Sequence, residues 1–510
     1  MSRGVGVGVL GVLGVVVAAC GSGQSILQAG NEPLPTVATT TTVAGPPVTA
    51  APGETLAPTV PPTVATTTTT PLDTLAPCPV DALDDASGPV EITFWHGLGA
   101  QLETVLTDLT QQYNRSQDRV RVRLENQGGY NQTIDKYVQS RQESRPELVM
   151  FPEYMVQQIA DTESVIPVGA CVQASGFDTS AFLPRTLLAY QTNGVQWSMP
   201  FNVSVPVLYF NRKAFVAAGV DVDDPPLSIE DVRSYSQAIV DSGAAGVGMA
   251  FDSGVDSGGG WFIEQWFAKA GELYADNGNG RLAPATRVLY DGAVGVELMT
   301  RVQSMITDGI AVTVGDNASG QDALLKLADQ QSPAAMTIAT SAALGTIISA
   351  LDGGLIPGLT SADVGVGPMP GPGGTPSALV GGASLYVVAD KGDAEAAAAW
   401  DYIQFLVGAE TQATWAAGTG YVPVRQDALE LEPLASTYRD DPRFKVAYDQ
   451  LTAAADDLAA VGPVIGPLRE VRGVTAGAVA AIFDGADVAS SLAGAAAQSN
   501  ALIADYNARN

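Results

Sequence analysis

Residues 90–99 read VEITFWHGLG. Val90, Ile92 and Phe94 alternate with polar neighbours at the period of a half-buried strand, and Gly97 and Gly99 mark where it stops. Leu102, Val105, Leu106, Leu109 and Tyr113 then recur at helical spacing. A strand followed at once by a helix predicts an α/β sheet. His96, at the end of that strand, is the only histidine in 510 residues.

The alternation continues outward. In RVRVRL (119–124) three arginines alternate with Val120, Val122 and Leu124, which predicts a strand with arginines outward. YNQTIDKYVQSRQ then reads as a helix and PELVMF as a strand. Further on, VPVLYFNRKAFVAAGV reads as strand then helix, and Pro225-Pro226 with Ser228 and Asp231 as a loop ending in a capping box. SALVGGASLYVVA reads as a strand pair and DAEAAAAWDYIQFLV as a helix, followed by GYVPV and an alanine-rich helical end. There is no internal repeat. Ligands of such sheets sit beyond the carboxyl ends of the strands. His96, Tyr130 and Glu153 fall there or at the entry to the next helix.

The first residues have a different texture. MSRGVGVGVLGVLGVVVAAC gives Arg3, an apolar stretch and then Val17-Ala18-Ala19-Cys20, the layout of a secretory signal over residues 1–19. Small residues before a cysteine resemble the bacterial lipobox, so Cys20 is expected to be lipidated; an ordinary signal or a short anchor is the alternative. VATTTTVAGPPVTAAPG and TVPPTVATTTTTPLDTLAP follow. This composition has too few large apolar side chains to repay ordering, and 20–87 is expected to be a tether. At about 3 Å per residue it could hold a domain on the order of 100 Å from a membrane surface. With Cys20 lipidated, Cys78 and Cys171 remain as an even pair in an oxidising compartment, which predicts a disulfide; two unrelated thiols are the alternative.

A net charge of -29 argues against nucleic-acid binding, which needs clustered Lys and Arg, but leaves room for a small anionic ligand in a cleft. Enzyme chemistry finds little support. There is no second histidine for a Ser-His-Asp arrangement, no His/Cys metal spacing and no Walker loop. The expectation is a binding protein without catalytic residues, metal or cofactor. His96 then belongs at a cleft edge as a hydrogen-bonding residue, or in the core.

FWHGLG, NQGGYNQ, ELVMFPE, MPFNVSVPVLYFNRKAF, AAMTIATS, VGGASLYVV and WAAGTGYVPV occur in that order over roughly residues 89–470. With these segments the chain resembles the extracellular solute-binding proteins of ABC importers, and within them the periplasmic sn-glycerol-3-phosphate-binding proteins. The resemblance implies two α/β lobes joined by a hinge and closing over a ligand. Lobe one would take 88–203 and 338–405; lobe two would take 204–337 and 406–510. It implies ligand contacts from Tyr130, Glu153, Ser204, Thr340, Ser341, Gly382 and Tyr421, with Arg469 in GPLRE meeting a phosphate. The chemistry suits these roles: a buried phosphate needs charge-assisted donors, and Glu153 can accept from glycerol hydroxyls.

The chain also departs from the family. Glycerol-3-phosphate binders bring a closely spaced tryptophan pair to the ligand, whereas FDSGVDSGGGWFIEQW has glycines and Asp256 before Trp261. Trp261 is the expected survivor, and the lost ring makes room for a larger head group such as that of glycerophosphocholine. The functional expectation is therefore a monomeric, lipid-anchored, extracytoplasmic binding protein. It would deliver sn-glycerol-3-phosphate or a glycerophosphodiester to an ABC permease. An oligosaccharide binder and a tethered sensor are the alternatives.

Overall fold

The computed structural model describes residues 76–510. The signal at 1–19, Cys20 and most of the tether lie outside the described residues. The strands are β1 (Val90–His96), β2 (Val120–Asn126), β3 (Leu148–Pro152), β4 (Val165–Ile166), a hairpin of β5 (Gln191–Thr192) and β6 (Val195–Gln196), β7 (Met199–Ser204), β8 (Pro206–Asn211), β9 (Val247–Phe251), β10 (Ala311–Thr313), β11 (Ala334–Thr340), β12 (Val364–Pro368) and β13 (Gly381–Val388).

They build two mixed sheets, one per lobe. The first runs β2-β1-β3-β13-β4, with β7 also on β13; the second runs β10-β9-β11-β8-β12. β1 pairs in parallel with β2 and β3, as the strand-helix alternation predicts, and β13 closes on β3 antiparallel. Val120 and Val122 face inward while Arg119 and Arg123 are exposed. SALVGGASLYVVA forms one strand, β13, rather than a pair, because Ser377–Val380 are held by a neighbouring helix instead of a sheet partner. Ser228 and Asp231 make the expected capping box.

Seven helices place the site: α1 (Ala100–Ser116), α2 (Tyr130–Gln139), α3 (Val156–Asp161), α4 (Trp261–Lys269), α5 (Ala409–Thr419), α6 (Leu468–Phe483) and α7 (Val488–Asn507). α4 is buried along its whole length, since it is wedged against the crossover between β12 and β13. Trp266 Nε1 donates to Pro370 O, Lys269 Nζ donates to Thr375 O and Ser377 O, and the Gln265 amide both donates to and accepts from the Leu379 backbone.

Three lobe limits differ from expectation. β11 and β12 pair with β8 in the second sheet, so the chain returns to the first sheet at Gly381 and not at 338. An apolar alternating strand carries no mark of which sheet it joins. α5 packs on α1 of the first lobe, although 406–510 was assigned to the second. Ordered packing begins by Cys78: Leu83 is buried, and the turn Val80–Leu83 packs on the helix Asp393–Leu406. The reason is covalent. Cys78 and Cys171 form the expected disulfide, with their Cα atoms 4.9 Å apart, which pins the end of the tether to the first lobe. Among the described residues no helix is long and apolar enough to cross a membrane.

Candidate functional site

The turn after β3 carries Glu153 and Tyr154. α6 of the second lobe packs on that turn. Leu468, Val471, Arg472, Thr475, Ala476 and Val479 lie on its buried face, so one arginine stands on an otherwise uncharged stripe. The Arg472 Nε and Nη2 donate to the two oxygens of Glu264 at 2.6 and 2.8 Å, and Nη2 also donates to Glu153 at 2.7 Å. Glu264 belongs to α4 of the same lobe, while Glu153 belongs to the other. The guanidinium also lies 4.7 Å from the centre of the Tyr154 ring. Burial opposes its charge, but Glu264 and Glu153 hold its pKa well above the usual range. Burial pushes the Glu153 carboxyl up to about 7, with Arg472 pulling it down and Glu264 adding to the rise.

A second cluster adjoins. The buried Asn202 amide donates to the Tyr130 hydroxyl at 2.8 Å and to the Tyr421 hydroxyl at 3.1 Å. Enclosure pushes the Tyr130 hydroxyl well above its ordinary range, so it stays neutral. Tyr421 stacks on Trp415 with centroids 5.4 Å apart. Gly382, opposite Val203 on β7, has φ +90°, and a Cβ there would stand 2.0 Å from Asn202 O. Its neighbour Gly381 pairs with Ser204 and leaves the space that the Trp261 ring fills. Ser341 N donates to Val205 O at 2.9 Å, at the crossover into β8.

Several buried polar atoms in this region are without a partner among the described residues: Tyr154 Oη, Tyr190 Oη, Asn202 Oδ1 and Trp261 Nε1. The charge of Glu153 acts on Tyr154 and Tyr190 alike. Buried polar groups ordinarily find partners, so this set is suited to a polar ligand.

The structure thus brings together Tyr130, Tyr421, Ser204, Gly382 and Trp261, with Ser341 at the crossover beside Ser204. Glu153 joins the buried arginine. Thr340 is committed to its own turn, its hydroxyl accepting from Ala342 N. Two residues are elsewhere. Arg469 points to the rim, donating to Asp135 of α2 at 2.8 Å with both side chains partly exposed; it sits at the margin of the helix face on which Arg472 is buried. His96 is fully buried rather than at the cleft edge, its Nδ1 accepting from Leu98 N at 3.3 Å. Burial lowers its pKa to about 4.

Arg472, Glu264 and Asn202 were not anticipated. The first two had a signal: each is a charge at a position where helical periodicity demands an apolar residue.

Two lobes with a polar, part-charged seam between them define the class of binding proteins that close over a small solute. The chain belongs to the bacterial extracellular solute-binding protein family, whose model matches residues 108–446. It is similar to the sn-glycerol-3-phosphate-binding periplasmic protein UgpB of Rhizobium meliloti (strain 1021), 26% identical over 431 residues, covering 82% of this chain and 95% of the relative. The UgpB of Pectobacterium atrosepticum is 28% identical over 391 residues, covering 74% and 83%. Among solved structures, UgpB from Mycobacterium tuberculosis in complex with glycerophosphocholine superposes with TM-score 0.67 at 21% identity, covering 83% of this chain and all of that one. The acarbose-binding GacH receptor of Streptomyces glaucescens gives 0.66 at 17%, covering 82% and 99%. At these identities the structural likeness speaks for the fold alone. The chain is an ABC substrate-binding protein, UgpB-like at low identity. Proteins of this kind bind small ligands and work with membrane permease subunits.

Proposed function

We propose that this protein binds sn-glycerol-3-phosphate or a glycerophosphodiester between its lobes and delivers it to an ABC permease from a lipid anchor at Cys20. The observation that carries the reading is Arg472, a buried guanidinium fixed by Glu264 and shared with Glu153 of the opposite lobe. Its bonds to the two carboxylates use Nε and Nη2, which leaves Nη1 for a phosphate oxygen, and a charge-assisted bond there contributes roughly 1.5–3 kcal/mol. The hydroxyl-rich wall of Tyr130, Tyr421 and Ser204 suits the glycerol moiety. Arg472 takes the phosphate-binding role that the family resemblance assigned to Arg469. Ligand binding at this seam shifts an open-closed equilibrium, the state that a permease reads.

An oligosaccharide is the second reading, favoured by the aromatic surface of Tyr130, Tyr154, Tyr190, Trp261 and Tyr421. Calorimetry with glycerol-3-phosphate, glycerophosphocholine and maltose separates them. The phosphate reading expects both phosphorylated compounds to bind, and Arg472→Met to abolish their binding. Tight maltose binding that survives Arg472→Met would overturn it. The anchor is tested apart from the ligand: Cys20→Ala should lose labelling by a fatty-acid analogue, and undiminished labelling would refute lipidation at that cysteine.

A further inference from the structure

Two arginines away from the seam reach from one lobe to the other, in opposite directions. Arg281 belongs to the second lobe. It follows Asn279, whose carbonyl accepts from Val464 N and whose amide donates to Leu458 O, and the turn Leu458–Val461 packs on α4. Arg281 Nε donates to Gly462 O at 2.7 Å and Nη2 to Val461 O at 3.3 Å within that lobe, while Nη1 donates across to Leu188 O at 3.0 Å and Gln191 O at 3.3 Å. Arg185 belongs to the first lobe, on the short helix Pro184–Ala189 that packs on β7. Its Nη1 donates across to Ala460 O at 2.8 Å, and its Nη2 to Ala454 O and Ala455 O at 2.9 and 2.6 Å.

The acceptors lie where helices end. Leu188 is in the last turn of the helix that carries Arg185, and Ala454 and Ala455 come just after the helix Val446–Thr452. Helix ends leave carbonyls without partners in their own helix, and a guanidinium satisfies several at once. Every hydrogen bond of Arg185 and Arg281 among the described residues ends on such main-chain oxygen. Burial lowers the pKa of both, and Asp456 and Asp457 pull that of Arg185 back up.

The packing around them is open. A cavity of about 350 Å³ separates the lobes here, with Leu188 and Thr192 on one wall and Arg281, Leu458, Val461 and Val464 on the other. Interdigitated apolar side chains would weld this edge together. Across a gap, the guanidinium bonds carry the join, and directional bonds of that kind are lost in a small rotation of one lobe against the other. The edge also differs from the seam, where Arg472 meets the ionisable Glu153. Main-chain oxygens do not titrate, and no solute is needed to bring them to Arg185 and Arg281.

We infer that Arg185 and Arg281 form a reciprocal latch between the lobes, one that favours their closed arrangement and sets how readily the cleft opens. The latch goes beyond the phosphate reading and holds whichever solute binds.

Two measurements on the full chain test it. Spin labels on Val138→Cys of the first lobe and Val216→Cys of the second, both exposed positions, report the distance between lobes by pulsed electron resonance in a Cys20→Ala background. Arg185→Met and Arg281→Met keep the apolar stem. Each should shift the distance distribution away from that of the unsubstituted arginines with no solute added, and the double variant should shift it further. Arg185→Lys, which keeps the charge without the planar fork, should fall between. Stopped-flow with glycerophosphocholine should show dissociation about tenfold faster in either Met variant, with association within about threefold. If the Met variants keep the wild-type distribution and dissociation rate while their melting temperature falls, the arginines serve stability alone and the latch is refuted. The single variants and Arg185→Lys decide the question if the double variant does not fold. If wild type does not bind glycerophosphocholine, that ligand is struck from the proposed function, and the distance distributions decide the latch by themselves.

Discussion

Arg472 of the second lobe and Glu153 of the first meet at 2.7 Å, while the other edge of the same guanidinium is locked to Glu264 within its own lobe. The two bonds differ in kind. The Glu264 pair is bidentate and buried on both sides, so it fixes the arginine. The Glu153 bond is single and crosses the seam, so it is the one that opening of the lobes must break.

Arg472 and Arg469 are three residues apart on one helix, and their substitutions should part company. Arg472→Ala strands two carboxylates in the interior, which costs about 3–5 kcal/mol, and it removes phosphate binding. Arg469→Ala breaks a part-exposed pair with Asp135, worth under about 1 kcal/mol, and should leave affinity within a few-fold of wild type. Denaturant melts beside calorimetry check both. Equal loss of binding in the two variants would return the phosphate contact to Arg469.

Because His96 is the only histidine of the chain, its imidazole gives a single set of NMR signals. Burial depresses its pKa from 6.5 to about 4, against a smaller upward pull from Glu103. The unfolded chain therefore binds a proton that the folded one refuses between those values. The stability His96 contributes is present above pH 6.5 and lost as pH falls toward 4. The imidazole signals should not titrate until well below pH 6. A midpoint near 6.5 would mean that the ring meets solvent.

The fold was legible because its signals are local. VEITFWHGLG followed by Leu102, Leu106 and Leu109 could only be a strand running into a helix, and β1 and α1 are there. Sheet membership of β11 and β12 was not legible, since an alternating apolar strand pairs equally well with either sheet and the choice is made by residues more than a hundred positions away, in β8. Of the candidate site, Tyr130, Glu153, Ser204 and Tyr421 lie in segments that resemble a family, and that resemblance is what singles them out. The resemblance points to Arg469, whereas the periodicity of Leu468, Val471, Thr475 and Val479 puts Arg472 on the buried face. Glu264 and Asn202 act through distant partners that no spacing encodes.

The disulfide makes a prediction about the end of the tether. Cys78 and Cys171 are 93 residues apart and both buried, so the bridge closes a long loop within the first lobe. In the chain-entropy account a loop of this length contributes about 2–5 kcal/mol. Replacing both cysteines with alanine should lower stability by that order and free residues before Val90 for proteolysis. Ligand affinity should hardly change, since neither cysteine belongs to the seam. An unaltered unfolding midpoint would show that the core of the first lobe stands without the bridge.

Glu153 offers a pH test of the seam itself. Burial raises its carboxyl from an ordinary 4.5 to about 7, despite the pull of Arg472. Between those values the folded protein holds a proton that the unfolded chain has released, so stability falls as pH rises. The contribution is complete below pH 4.5 and gone once pH has passed about 7. Glu153→Gln keeps the shape and cannot ionise, so it lacks this dependence. The unfolding free energy of wild type minus that of Glu153→Gln should therefore decline from pH 4.5 to 7 and level off above. The opposing term from His96 is common to both proteins and cancels in the difference. A difference that stays flat across this range would show that Arg472 compensates the buried carboxylate in full, and that Glu153 is ionised throughout.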